Sequence, residues 1–214
     1  MFEDMLERSV PFYHDIQRML VELAGDFAAD GTVVADIGCS TGTTLRALDA
    51  LSQDVTLVGF DNSPPMLERA DRLLRGSLRH THELRCVDLN QGFYVENASV
   101  VVMSLTLQFV RPLRRERMLR DICAGINHNG CLLLVEKVVA EESLLNRLYI
   151  QHYYEFKQRN GYSELEIARK REALENVLIP YRVDENEAML RMVGFRAVDV
   201  FFKAYNFVGL IALK

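Results

Sequence analysis

Short apolar, β-branched runs alternate with amphipathic helical patterns along the first two thirds of the chain, and this alternation limits the possible folds most strongly. The strand-like runs are TVVADI at 32–37, VTLVGF at 55–60, ELRCVD at 83–88, a run that opens at 98, and CLLLVEKVV at 131–139. Between them, apolar residues recur at helical spacing, and Pro64 and Pro112 stand where helices begin. Five such alternations predict a mostly parallel sheet covered by helices on both faces.

The last third of the chain departs from this alternation. Residues 141–193 are predicted to be helical in several pieces, divided near Asn160-Gly161 and near Pro180. A block of this length is too long for a single crossover between neighbouring strands. No linker flanks it, so we interpret it as a helical insertion within one domain, and not as a second domain.

Residues 197–214 are predicted to form two strands joined near Tyr205-Asn206, which gives an antiparallel hairpin at the edge of the sheet. The expected fold class is therefore α/β, with a doubly wound, Rossmann-like sheet and an antiparallel terminal hairpin. We expect one domain over residues 1–214, with a helix in residues 1–30 ahead of the first strand and the insertion at 141–193 before the last strands.

The charge and cysteine content narrow the class of protein. The chain has 25 basic and 30 acidic residues, a balance that argues against direct nucleic-acid binding, for which a basic excess is usual. No apolar run reaches the roughly 18–20 residues of a membrane span, and MFEDMLERSV lacks the pattern of a secretory signal. The four cysteines have no CxxC spacing, so we expect reduced, buried thiols in a cytoplasmic protein. No further metal-ligating residue accompanies the His80-x-His82 pair in the sequence pattern, so we expect no bound metal.

A glycine-bearing turn follows the first predicted strand. It reads Asp36-Ile-Gly38-Cys39-Ser40-Thr41-Gly42 and precedes a helical pattern. Glycines at this place permit a tight turn and a close approach of a ligand to the backbone, at the carboxyl edge of the sheet where ligands of doubly wound folds bind. Taken alone, the pattern is also compatible with a tight turn that binds nothing.

Acidic residues end the next two strands. Asp61, followed by Asn62, closes the second strand and could accept hydrogen bonds from both hydroxyls of a ribose, although a role in capping the next helix is also open. Asp88-Leu89 closes the third strand and could meet an adenine amino group, or could serve only in a turn.

The glycine spacing excludes two common nucleotide sites. Glycines at 38 and 42 do not give GxGxxG, and no lysine stands at the helix start as GxxxxGK[ST] requires. The turn, the acidic end of the second strand and the terminal hairpin together resemble the class I S-adenosylmethionine-dependent methyltransferases. That resemblance implies a seven-stranded sheet with an antiparallel last strand.

A closer resemblance covers nearly the whole chain, and its motifs are more specific than the glycine turn. The segments are RSVPFY at 8–13, DNSP at 61–64, LTLQF at 105–109, NGYSELEI at 160–167, KR at 170–171, LENV at 174–177 and YNF at 205–207. They resemble the carboxy-S-adenosylmethionine synthase family. The resemblance implies a reaction of S-adenosylmethionine with prephenate that yields carboxy-S-adenosylmethionine and phenylpyruvate. It also implies a homodimer, and a product that a separate enzyme uses to modify the tRNA wobble uridine.

The resemblance implies cofactor-binding roles for residues at three strand ends. Gly38, Cys39 and Ser40 would line the methionine and ribose part of the cofactor. Asp61 would accept the ribose hydroxyls with Asn62 beside it, and Asp88 and Leu89 would flank the adenine.

Three further residues receive roles from the resemblance. Tyr13 would close over the cofactor, so that the helix within residues 1–30 acts as a lid. Arg171 would pair with the carboxylate newly attached to the methyl group, a task that suits a planar, permanently charged guanidinium. From its place in the run 169–171 alone, Arg171 would be a solvated residue. Ser104 stands where the family usually has Asn, so a direct contact could become water-mediated.

The expected chemistry places few demands on protein side chains. A methyl carbon beside a positive sulfur is weakly acidic, and breakdown of prephenate would supply carbon dioxide and a hydroxide-like base. The protein would then contribute positioning, water exclusion and a cationic clamp, with Arg171 as its catalytic residue. The alternatives are an ordinary S-adenosylmethionine-dependent methyltransferase of small molecules, a non-catalytic binding module, and a tRNA-binding protein.

Overall fold

Seven strands form one sheet in the computed structural model, which describes residues 2–214. They are β1 (Thr32–Ile37), β2 (Val55–Asp61), β3 (Thr81–Cys86), β4 (Ala98–Ser104), β5 (Ile126–Lys137), β6 (Ala197–Ala204) and β7 (Phe207–Leu213). Their order is β3-β2-β1-β4-β5-β7-β6. The first five strands pair in parallel, and β7 pairs antiparallel with both β5 and β6. The predicted fold class is therefore confirmed.

Eight α-helices cover this sheet over the part of the chain that the structure describes. They are α1 (Phe2–Ser9), α2 (Tyr13–Phe27), α3 (Thr43–Leu48), α4 (Pro64–Leu74), α5 (Pro112–Gly125), α6 (Ser143–Arg159), α7 (Glu164–Leu174) and α8 (Val183–Val193). A single 3₁₀ turn covers Leu107–Phe109. None of the described helices is long and apolar enough to cross a membrane.

The two faces of the sheet bury separate apolar cores. On one face, α2, α3 and α4 supply Ile16, Leu20, Leu45 and Leu74, among others. On the other face, α5 and α8 supply residues such as Leu119 and Leu190. Strands β4 and β5 lie between the two cores. Because both of their faces are buried, their sequences are continuous apolar runs and do not alternate between apolar and polar residues.

The N-terminal region contains two helices where the spacing suggests one. The helix α1 ends at Ser9, and α2 begins at Tyr13 after Phe12, whose φ of 58° is left-handed. Pro11 explains the break, because proline has no N–H to donate and its ring clashes with the preceding helical turn.

The fifth strand begins at Ile126, five residues before the predicted start at Cys131. Strand β5 starts at Ile126, and its register against β4 shifts between the pairs Ala98–Ile126 and Val100–Cys131. Asn129 has a φ of 65° within this irregular stretch. The turn-forming residues therefore form a bulge inside a strand instead of a loop before it.

Leu133→Ala tests the importance of the central strand. Leu133 is fully buried in β5, so its truncation should lower the free energy of unfolding by about 2–5 kcal/mol. Leu113→Ala in α5 is the matched control, because Leu113 is 98% exposed. Urea denaturation followed by circular dichroism measures both, and equal stability of the two variants would contradict this description of the core.

Candidate active site

A cavity of about 1000 Å³ lies at the carboxyl ends of the parallel strands. Its floor contains the turn after β1, the segment after β4 and the end of β5. Its walls come from α1, α2, α6 and α7, with Tyr13, Tyr153 and Ile167 among the lining residues. The N-terminal helices and the helical insertion therefore cover the edge at which ligands of doubly wound folds bind.

The predicted glycine turn forms part of this floor. The N–H groups of Gly38 and Cys39 both donate to the carbonyl of Phe60, at 2.7 and 3.0 Å. Gly38 has a φ of 81°, and a Cβ built there would lie 2.2 Å from the Thr106 hydroxyl oxygen. Both the conformation and the close contact therefore require glycine at position 38.

Asp61 holds this turn in place. Its Oδ2 accepts the Ser40 N–H at 2.9 Å and its Oδ1 accepts the Ser63 N–H at 2.8 Å. A carboxylate has about four acceptor positions, so capacity remains for a ligand hydroxyl on each oxygen. Asp61 does not itself line the cavity, and Asn62 beside it is exposed.

Asp88 and Leu89 lie two strands from the glycine turn and outside the cavity wall. Asp88 Oδ1 accepts the Asn90 N–H at 2.9 Å, and this bond holds the pKa of Asp88 below its usual range. Leu89 is half-buried against the core. Asp88 therefore has, in the structure, the role in a turn that the sequence left open for it.

The remaining predicted residues do line the cavity. Tyr13 is buried at the start of α2, and Ser104 is half-buried at the end of β4. Arg171 reaches the cavity from α7 and is exposed. The structure thus brings Tyr13, Ser104 and Arg171 to one space with the turn at 38–40.

Asp36 was not predicted as a site residue, although it lines the cavity in the structure. Asp36 is 2% exposed, and its Oδ2 has no hydrogen-bond partner. Burial and the nearby Asp61 raise the pKa of the Asp36 carboxyl to about 7. An acid in an otherwise apolar strand, just before a glycine turn, was the available signal. The unsatisfied oxygen can accept a hydrogen bond from a positively charged group of a ligand.

A buried carboxylate positions the segment after β4. Glu136 accepts the N–H groups of Leu107 and Gln108, at 3.0 and 2.8 Å. Behind it, Arg115 is 1% exposed and donates to the carbonyls of Val110, Gln108 and Ile179. This network fixes the 3₁₀ turn whose Gln108 and Phe109 line the cavity.

Lysines from three elements give the cavity wall a positive charge. Lys137 ends β5, Lys157 lies on α6 and Lys170 lies on α7. Burial lowers the pKa of Lys137 and of Lys157 to about 8, and the mutual repulsion of the lysines adds to the effect. None of the three was predicted as a site residue, although Lys170 belongs to the KR motif at 170–171, because a lysine on a helix or at a strand end carries no signal of burial.

The thiols follow the prediction in part. All four cysteines are free, and Cys39, Cys123 and Cys131 are buried. Cys86, at the end of β3, is exposed, so the prediction of burial is wrong for it. Burial raises the pKa of the Cys39 thiol, which favours a neutral lining group over a nucleophile.

Comparison with known proteins first identifies the class. Residues 34–130 match a family model described as a methyltransferase domain. A putative O-methyltransferase from Nostoc punctiforme shares the fold with a TM-score of 0.68 and 16% identity, over 94% of this chain and 56% of that one. The cyclopropane synthase MmaA2 from Mycobacterium tuberculosis gives a TM-score of 0.63 and 17% identity, over 91% and 67% of the two chains. The fold is that of the class I S-adenosylmethionine-dependent methyltransferases.

Full-length relatives identify the family. The carboxy-S-adenosyl-L-methionine synthase of Methylococcus capsulatus is 59% identical over the whole of this chain and 89% of its own length. The protein of the same name from Desulfotalea psychrophila is 43% identical, over the whole of this chain and 88% of its own length. The chain therefore belongs to the carboxy-S-adenosyl-L-methionine synthase family, as the sequence motifs predicted.

Asp36→Asn tests the charge state of the cavity floor. Asp36 has a pKa of about 7 in the folded chain and 3.8 in the unfolded chain. Between these two pH values, the folded chain retains the Asp36 proton that the unfolded chain has lost. Stability of the native protein should therefore fall as the pH rises from about 4 to about 7, by on the order of 4 kcal/mol from this group. Urea denaturation at pH 5 and pH 8 measures how much the free energy of unfolding changes with pH, and Asp36→Asn should reduce this change.

The control for this measurement is Asp54→Asn, which removes an exposed carboxylate from the opposite end of the sheet. It should leave the pH dependence as in the native protein. An unchanged slope in Asp36→Asn would show that the Asp36 carboxyl is not the buried acid described here.

Proposed function

We propose that the protein converts S-adenosylmethionine and prephenate into carboxy-S-adenosylmethionine, with release of phenylpyruvate and water. The observation that carries this proposal is the full-length identity to relatives named for the synthesis of carboxy-S-adenosylmethionine. The cavity supports it independently, since an arginine and three lysines line one side of it and acidic Asp36 lies on its floor. A product that gains a carboxylate suits such a distribution of charge.

The proposed reaction balances without a metal or a redox partner. Prephenate would lose carbon dioxide and a hydroxide as its ring becomes aromatic, which leaves phenylpyruvate. The hydroxide would take one proton from the sulfonium methyl group to form water, and the carbon would bond to the carbon dioxide. In this scheme the protein holds both substrates together and excludes bulk water.

Each cavity residue has a place in this scheme. Asp36 would accept the ammonium group of the methionine part, and the turn at 38–40 would lie along it. Asp61 would accept the ribose hydroxyls through its free acceptor positions. Arg171 would pair with the new carboxylate, and the exposed position of this side chain leaves it free to turn inward.

The assembly and cellular setting are part of the proposal. We expect a homodimer, to which α6 could contribute the exposed side chains of Leu144, Leu145 and Leu148. Tyr153 on the same helix contacts Phe207 at 5.3 Å between ring centroids, so this aromatic residue covers the protomer's own site. We further expect a cytoplasmic enzyme whose product passes to a separate enzyme that modifies the tRNA wobble uridine.

Incubation with and without prephenate tests the proposed reaction. With S-adenosylmethionine and prephenate together, mass spectrometry should find a product heavier than S-adenosylmethionine by one carbon dioxide, together with phenylpyruvate. Omission of prephenate should abolish the product. If no such product forms and a small-molecule acceptor is methylated, the protein is an ordinary methyltransferase.

Arg171→Ala tests the assigned clamp within that assay. Loss of a charge-assisted contact to the carboxylate should reduce formation of the product by about tenfold or more, because such contacts contribute roughly 1.5–3 kcal/mol. Binding of S-adenosylmethionine, measured by calorimetry, should be retained. Arg169→Ala is the control, since Arg169 is exposed on the same helix and does not line the cavity. Unchanged turnover in Arg171→Ala would remove the clamp from the mechanism.

A further inference from the structure

Lys137, Lys157 and Lys170 line the cavity and form a cationic cluster against the rings of Tyr153, which also lines the cavity, and of buried Tyr162. The ammonium groups of Lys137 and Lys157 lie 4.5 and 5.4 Å from the ring centroid of Tyr153. Those of Lys157 and Lys170 lie 5.1 and 4.6 Å from the ring centroid of Tyr162. Lys157 therefore stands between the other two, and the three charges share one patch of the wall.

The described side chains form no ion pair with this cluster, although Lys170 donates a hydrogen bond to the Tyr162 hydroxyl at 2.8 Å. Among the side chains of residues 4–214, no carboxylate oxygen lies within 4.0 Å of any of the three ammonium groups. Lys157 is only 4% exposed, a position in which lysine is rarely found without an ionic partner. The aromatic faces offset part of the cost, since a desolvated cation–π contact contributes about 2 kcal/mol.

Apart from Asp36 on the floor, the described acids around the cavity are engaged elsewhere or exposed. Glu166 accepts the N–H and hydroxyl of Ser163 in a capping box at the start of α7. Glu172 and Glu175 line the cavity but are exposed. Glu136 is occupied by two backbone N–H groups. An anion that enters the cavity would thus be the natural partner of the lysines.

The positive charge of S-adenosylmethionine strengthens the need for an anionic second ligand. A sulfonium centre adds one more positive charge to a space that already contains three lysines and Arg171. A neutral or cationic second ligand would leave this excess in place, whereas a ligand with two carboxylates would reduce it. The ring of Tyr153, which lines the cavity, also offers an apolar surface to a carbon ring.

We propose that Lys137, Lys157 and Lys170, supported by Tyr153 and Tyr162, form the subsite that binds the carboxylates of a dicarboxylic co-substrate. The inference rests on the proposed function, which supplies such a co-substrate in prephenate. The inference goes further than the proposed function because it names the residues that recognise the co-substrate. Arg171, at the more exposed side of the cavity, is left for the carboxylate of the product.

Lys157→Met tests the subsite, because methionine keeps the length and apolar stem of the side chain and removes its charge. The KM for prephenate should rise by about tenfold or more, the effect expected for loss of one buried charged contact. The Kd for S-adenosylmethionine should stay within about twofold of the native value, as is usual when a mutation touches only the other ligand. Lys170→Met, at a less buried position, provides a second variant. Lys203→Met on β6 is the control, since Lys203 is exposed and outside the cavity.

A binding experiment separates failure of the subsite from failure of the proposed reaction. Malonate and acetate are titrated by calorimetry into native and Lys157→Met protein that has been saturated with S-adenosylmethionine. Tighter binding of malonate than of acetate, lost in the variant, supports the subsite even when prephenate is not turned over. The proposal is overturned when native and variant protein show the same KM for prephenate, or when native protein binds neither anion.

Discussion

The parallel pairing of β1 with β2 and β4 is the constraint on which the site depends. Asp36 pairs with Gly59 on one side and Val102 on the other, so the three strands reach the same edge together. This register brings Asp61 within 2.9 Å of the Ser40 N–H and sets the segment after β4 against Gly38. A shift of one residue in β1 would direct Asp36 to the opposite face of the sheet.

Charge is distributed unevenly around the cavity that this pairing creates. Asp36 lies on the floor, where burial and the nearby Asp61 raise its pKa. Lys137 and Lys157 lie on the wall, where burial and a neighbouring lysine lower their pKa values. Burial makes the charged form of each group costly, and a ligand of the opposite charge would stabilise it. In the proposed function, a methionine ammonium on the floor and carboxylates along the wall would supply those charges.

The sequence predicted the sheet well because buried parallel strands are continuous apolar runs, and because Pro64 and Pro112 mark where helices begin. It did not predict the bulge before Cys131, since turn-forming residues look alike in a loop and in an irregular strand. For the site, the glycine turn could be located from spacing alone. The burial of Lys157 could not be predicted, because it depends on how α6 packs against α1 and α7, which local sequence does not encode.

The central claim is that an excess of positive charge in the cavity selects a cofactor with an additional carboxylate. The most direct measurement is competition calorimetry of carboxy-S-adenosylmethionine against S-adenosylmethionine on the native protein. We expect the carboxylated form to bind at least about tenfold more tightly, as one charge-assisted pair would provide. Equal affinities, or a preference for S-adenosylmethionine, would contradict the claim.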